Sequence, residues 1–229
     1  MVFDLHGYLP LILKGMLLTV EVAVLSLLIA IVLGLIGAVA KLSGSRFAKW
    51  VAGVYTTVIR GVPDLVLMYI IFFGGQILVN DIGDRLGWDY VDVSAFAAGV
   101  LTIGFIFGAY LTETFRGGIM AVSRGEIEAG YAYGMSSMQV FLRITMPAMV
   151  RHALPGFSNN WLVLAKTTAL VSVIGLHDMV DIAYQAGGAT RQPFTFYFLV
   201  AILFLVITGV SDIGLRWLER RYSVGVRKA

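Results

Sequence analysis

No cysteine occurs among the 229 residues. That excludes a disulfide framework, a thiolate zinc site and a thiol nucleophile. Histidine is nearly as scarce. His6, His152 and His177 are far apart in the chain and supply no metal-ligand cluster. Charged residues make up only 14% of the chain, and the basic ones are scattered among apolar segments, which gives no support to nucleic-acid binding. There is no G-x-x-x-x-G-K-S/T phosphate loop, so the chain is not expected to bind ATP or any other cofactor itself. No G-x-S-x-G or similar nucleophile signature is found. Internal repeats and low-complexity tracts are missing as well.

What fills the chain instead is carbon. Hydrophobic residues are 59% of the total and the mean hydropathy is +0.86. This is the profile of an all-α polytopic membrane protein in one compact domain. A spanning helix needs about 20 mostly apolar residues. Five stretches meet that need, over about 16–40, 51–79, 94–115, 154–176 and 194–217. The first is too long for a signal-peptide core. Ala30, Gly34 and Ala38 line up as a small-residue stripe on it, and Gly104 and Gly108 do the same on the third; both suit close helix contact in lipid. The second stretch is interrupted by Arg60-Gly61-Val62-Pro63-Asp64. Pro63 is expected to kink or start a helix there, with the crossing made by the part that follows. The segments 80–92 and 177–193 read as polar connections. Lysine and arginine fall on alternate sides of the spans with a strong bias, which predicts an outside N-terminus and a cytoplasmic C-terminus.

One polar stretch, 126–147, looks folded rather than slack. Glu126 and Glu128 sit where carboxylates favour a helix N-terminus. Gly134 can end that helix in the left-handed conformation. Ser136 then starts a second helix, with Gln139 three residues on completing a capping-box pattern. Met138, Phe141, Leu142 and Met146 give it an apolar face, and Pro147 is expected to stop it. The bias of basic residues puts this stretch in the cytoplasm, where another protein can reach it.

The spacing of Glu128-Ala129-Gly130, Gly134, Ile144 and Met146-Pro147 resembles the EAA loop of the membrane subunits of ATP-binding-cassette importers. Glu-Ala-Gly and Met-Pro are mild departures from that pattern. Further motifs extend the resemblance to the polar amino-acid subfamily. They are Ile59-Arg60-Gly61-Val62-Pro63, Ala109-Tyr110 with Glu113 and Arg116-Gly117-Gly118-Ile119, Ala165 to Leu170 with Val173-Ile174-Gly175, and Glu219 to Gly225. The resemblance is strongest to the Q-type subunits for the histidine, lysine, arginine and ornithine class of cargo. It implies the five-span transmembrane fold of type I importers in the bacterial inner membrane. It also implies partners: a paralogous M-type membrane subunit, two ATPase subunits holding ATP and magnesium, and a periplasmic amino-acid-binding protein. Glu128, Ala129, Gly130, Gly134, Ser136, Met138, Phe141, Ile144 and Pro147 would then form the ATPase-coupling element, with Glu128 and Gly134 shaping it and 136–141 making the contact.

Ionisable residues inside spans are costly and are functional candidates by default. Arg60, Asp64, Glu113 and Lys166, with the polar Asn160 and Thr168, are therefore candidates for a substrate pathway. Each has a plainer alternative. Arg60, Asp64 and Lys166 can pair internally to close the bundle, Glu113 can pair with Arg116, and Asn160 and Thr168 can serve as interhelical hydrogen-bond partners. Glu21 and Asp212 fit positions near the interfaces. Two other classes remain open from the residues alone: a self-sufficient ion-coupled transporter, and a scaffold without a transport role. Dissipating the proton gradient while ATP is intact separates the first of these from an importer. ATP-driven uptake continues for a time; ion-coupled uptake stops.

Overall fold

The computed structural model describes residues 5–222; the end of the Glu219–Gly225 motif and the basic Arg227 and Lys228 lie outside them. Nine α-helices account for most of the described residues. Helix α1 spans Leu9–Leu42, with Pro10 in its first turn, where a missing backbone donor costs nothing. Ser43 ends it, and Ser45 caps α2, Arg46–Gly61, by accepting from the Ala48 amide at 3.3 Å. Val62 is extended, as the residue before proline prefers to be, and α3 runs from Asp64 to Leu86. The stretch read as one span over 51–79 is thus two helices divided at Val62-Pro63.

Helix α3 outlasts that stretch and closes on Gly87, which adopts φ +73°. The segment after it is not a slack loop. Gln76 and Asn80 of α3 clamp it through both faces of their amides: Gln76 Nε2 and Asn80 Nδ2 donate to Val91 O, while Gln76 Oε1 and Asn80 Oδ1 accept from the Val93 and Val91 amides. Helix α4 then spans Ala95–Met120, α5 Arg124–Ala132 and α6 Ser137–Val140. A π-helical turn over Phe141–Thr145 leads directly into α7, Met146–Thr167, which tightens into a 3-10 segment, Thr168–Ile174. Gly175 turns the chain at φ +92°. The segment 177–193, read as a connection, contains a helix, α8, Met179–Thr190. Helix α9 covers Pro193–Tyr222.

Helices α1, α3, α4 and α9 are long and apolar enough to cross a membrane. The unit from Ser137 to Ile174 and α8 meet at 55°, and they make a fifth crossing if counted as one broken span.

Two cores organise these helices. The larger surrounds α4, whose Ile103, Ile106, Phe107, Ala109, Leu111 and Phe115 are buried against α1, α2, α3 and α7. The small-residue stripes meet here. A Cβ on Gly34 would lie 2.7 Å from Leu111 Cβ, and one on Gly104 would lie 2.7 Å from Ile29 Cβ. The backbones approach because those methyls are missing, and Ser26 Oγ donates across the contact to Val100 O at 3.1 Å. The smaller core joins α8, α9 and the start of α1 through Ile12, Met179, Phe196 and Val200. Buried Asp178 fixes α8 there. Its carboxylate accepts from the Val180 and Asp181 amides, each at 3.0 Å, and from Thr19 of α1 at 3.4 Å.

Replacing Gly34 by Ala should loosen the α1–α4 contact by about 1–3 kcal/mol of overpacking. The expected readout is a lower unfolding temperature for the detergent-solubilised protein. Gly209→Ala on α9, where the added methyl meets nothing within 4 Å, is the control. Equal melting of the two variants would remove the close contact as a source of stability.

Candidate functional site

The polar stretch between α4 and α7 is a compact helix-turn-helix. Glu126 lies in the first turn of α5. Gly134 takes φ +78°, and two backbone bonds close the helix end: the Gly134 amide donates to Tyr131 O at 2.9 Å, and the Met135 amide to Gly130 O at 3.1 Å. Ser136 forms the full capping box. Its hydroxyl accepts from the Gln139 amide at 3.4 Å, and the Gln139 side chain accepts from the Ser136 amide at 2.9 Å.

Pro147 does not end this helix. The Met146 amide donates five residues back to Phe141 O, and Pro147 follows in the first turn of α7. The hydrogen-bond register is already shifting at that point, so the donor proline lacks is lost where it matters least. Helix α6, the π-helical turn and α7 are therefore one continuous rod.

Gly130 explains one departure from the family pattern. It is buried, and a Cβ there would fall 2.5 Å from Ile144 Cδ1 and 3.1 Å from Val140 Cγ2. Glycine at this position lets α5 lie directly on the π-helical turn. Val140 and Ile144 face α5 as a result, and the apolar face expected from the sequence is split. Phe141 is half-buried, whereas Met138, Leu142 and Met146 are exposed. Tyr131 and Tyr133, which the sequence reading passed over, are exposed beside them. Tyr133 at 87% and Met138 at 65% make the most prominent part of an apolar knob. Glu128 and Ala129 are exposed, and the Glu128 carboxylate has no hydrogen-bond partner among the described residues. The turn is shaped by Gly134 and the cap; Glu128 faces outward.

The pathway candidates divide. Glu113 of α4 accepts from Lys41 of α1 and from Arg116 Nε at 2.9 Å, and Lys41 also donates to Thr56 of α2. Arg60 lays its guanidinium over the Tyr110 ring, 5.4 Å from the centroid. A cavity of about 330 Å³ lies between Lys41, Thr56, Arg60, Tyr110 and Glu113. Asp64 sits half-buried in the first turn of α3, where the helix dipole favours a carboxylate. The break at Val62-Pro63 removes the continuous helix on which Arg60 and Asp64 could have paired.

Asn160 of α7 donates to Thr114 of α4 at 2.9 Å, one residue from Glu113. The remaining two lie apart. Lys166 is exposed in the last turn of α7, and Thr168 is 1% exposed with its hydroxyl committed to Ala165 O at 2.8 Å. Lys41, near the end of α1, reaches both α2 and α4 through Thr56 and Glu113. Among the described residues no group of three or more His, Asp or Glu could hold a metal ion.

Comparison with known proteins matches residues 30–224 to the model of the binding-protein-dependent transport system inner membrane component family. The chain is 50% identical to the histidine/lysine/arginine/ornithine transport system permease protein HisQ of Escherichia coli (strain K12), over 98% of this chain and 99% of the relative. It is 43% identical to the octopine transport system permease protein OccQ of Rhizobium meliloti, over 92% of this chain and 90% of the relative. Among solved structures it resembles an amino acid ABC transporter crystallised with histidines. That match has a TM-score of 0.79 and 32% identity, covering 93% of this chain and 95% of the other.

Replacing Ser136 by Ala removes half of the capping box and should cost about 0.5–2 kcal/mol locally. Hydrogen exchange at the Gln139 amide should quicken while α4 stays protected. Unchanged exchange at Gln139 would mean that the cap does not hold this turn.

Proposed function

The chain belongs to the family of inner membrane components of binding-protein-dependent transport systems, and from that membership we propose how its parts work. It is a multi-pass inner-membrane permease subunit of an ATP-driven amino-acid importer. Subunits of this kind are not catalysts; such importers work with ATPase and binding-protein partners. In our reading two ATPase subunits hold ATP and magnesium, this chain binds no cofactor, and an M-type paralogue completes the membrane pair. A periplasmic binding protein delivers cargo to the outer mouth. The N-terminus is outside and the C-terminus cytoplasmic, as the distribution of Lys and Arg supports.

The observation that carries the mechanism is the folded knob on 126–147. Closure of the ATPase pair can drive alternating access only if it binds the two states of the membrane pair differently. The knob offers Tyr131, Tyr133, Met138 and Leu142 as an apolar contact on a rod continuous with α7. Gly130, Ile144 and the Ser136 cap make that contact stiff, so displacement of the knob reaches α7 instead of being absorbed in a loose loop.

The cargo we propose is a basic amino acid, the class carried in the names of the relatives. Its α-carboxylate suits the cavity beside Lys41 and Arg60, with Glu113, Asp64, Tyr110 and Asn160 as further pathway groups and Lys166 beyond them. Thr168 is turned inward and adds nothing to that surface.

The absence of native cysteine makes the test direct. A Met138→Cys variant is co-expressed with its membrane partner and with an ATPase carrying single cysteines along its membrane-facing groove. Efficient disulfide cross-linking that changes with ATP is the expected result. No cross-link from position 138, 136 or 141, in a complex shown to be assembled, would leave the knob without its assigned role.

A further inference from the structure

We propose that the cleft between α7 and the end of α9 holds the phosphate group of an anionic membrane lipid. The cleft has a volume of about 360 Å³, at the lower end of the range of about 300–1,000 Å³ for small-ligand sites. Arg151, Leu154 and Pro155 form one wall; Arg216, Glu219 and Arg220 form the other. Pro155 lies inside α7 and cannot donate to the Arg151 carbonyl four residues back, which weakens that wall locally. Arg216 and Arg220 are four apart and share one face of α9.

Charge and geometry select a phosphate. Arg151, Arg216 and Arg220 line the cleft with one carboxylate, Glu219, which accepts from Ser158 Oγ at 2.9 Å, while Asp212 pairs with Arg216 from outside the lining. Arg151 and Arg216 are each held by a single bond through Nε, to Tyr222 O at 3.0 Å and to Asp212 Oδ2 at 2.7 Å. Among the described contacts their terminal nitrogens remain for an incoming acceptor. Paired N–H groups of this kind match phosphate oxygens.

Surroundings select a lipid over a free anion. Val210 and Ile213, one to two turns up α9, are exposed apolar residues. Trp217 is exposed with Arg221 stacked over it at 5.9 Å, the arrangement of an interfacial anchor. A ligand with a phosphate below and acyl chains above fits both parts, and basic pockets between membrane helices take anionic headgroups in this way. The site is separate from the knob and from the Lys41–Glu113 cluster. It rests on the orientation proposed above only for the leaflet that supplies the lipid.

The test is native mass spectrometry of the full chain, extracted with its partners in mild detergent. Phosphatidylglycerol, phosphatidylethanolamine and inorganic phosphate are each added. Several-fold greater retention of phosphatidylglycerol is expected. That preference should be lost in an Arg151→Gln, Arg216→Gln double variant and partly kept in the Arg151→Lys, Arg216→Lys pair, which controls for misfolding. Equal retention of the two lipids, or a preference surviving in the Gln variant, overturns the proposal. So does displacement of phosphatidylglycerol by inorganic phosphate, which would make this a free-anion site. ATP-driven uptake in vesicles is measured separately. Its absence with the lipid preference intact would remove the transport reading and leave the lipid site standing.

Discussion

In lipid, two apolar helices gain nothing from hiding carbon from water, so close van der Waals contact has to hold them together. For this chain that contact is the seam between α1 and α4. Glycines on both sides remove the methyls that would keep the backbones apart. Helix α4 then becomes the hub against which α2, α3 and α7 pack. Polar ties sit along the seam, Ser26 to Val100 partway and Lys41 to Glu113 near the end of α1. Ser26 is fully buried in that contact, and Lys41 and Glu113 satisfy each other's charge. The second core hangs from the opposite end of α1, where Gly15 lies against the backbone of Asp178 and Met179.

Such a framework makes sense of the knob between α4 and α7. It joins the hub helix to the neighbour bonded to it through Asn160 and Thr114. The π-helical turn carries the chain from the knob into α7 without a hinge. A force on the exposed tyrosines and Met138 thus acts on a helix already seated against the hub.

Much of this could be read from local patterns. Ser136 with Gln139, Gly134 and the stripes on the first and third spans each depend on residues a few positions apart, and each fold as read. The missed features depend on partners distant in sequence or on small shifts of register. Pro147 looked like a stop because proline normally is one; a π-helical turn just before it could not be seen in composition. Gly130 had meaning only once Ile144 was packed above it. Lys41 gave no signal because its partner, Glu113, lies 72 positions away. Helix α8 was legible in part: Asp178 caps it and Met179, Ala183 and Ala186 repeat at helical spacing, but its polar residues masked the pattern.

The notched seam also bears on how the chain enters the bilayer. Helix α1 emerges from the ribosome first, yet the helix that fills its notches follows only after α2 and α3 have been made. Until then its glycines face lipid tails or the insertion machinery, and Lys41 waits at the end of α1 without Glu113. The α1–α4 seam can close only when α4 arrives, so the third apolar crossing, and not the first, sets the moment at which the larger core can begin to form.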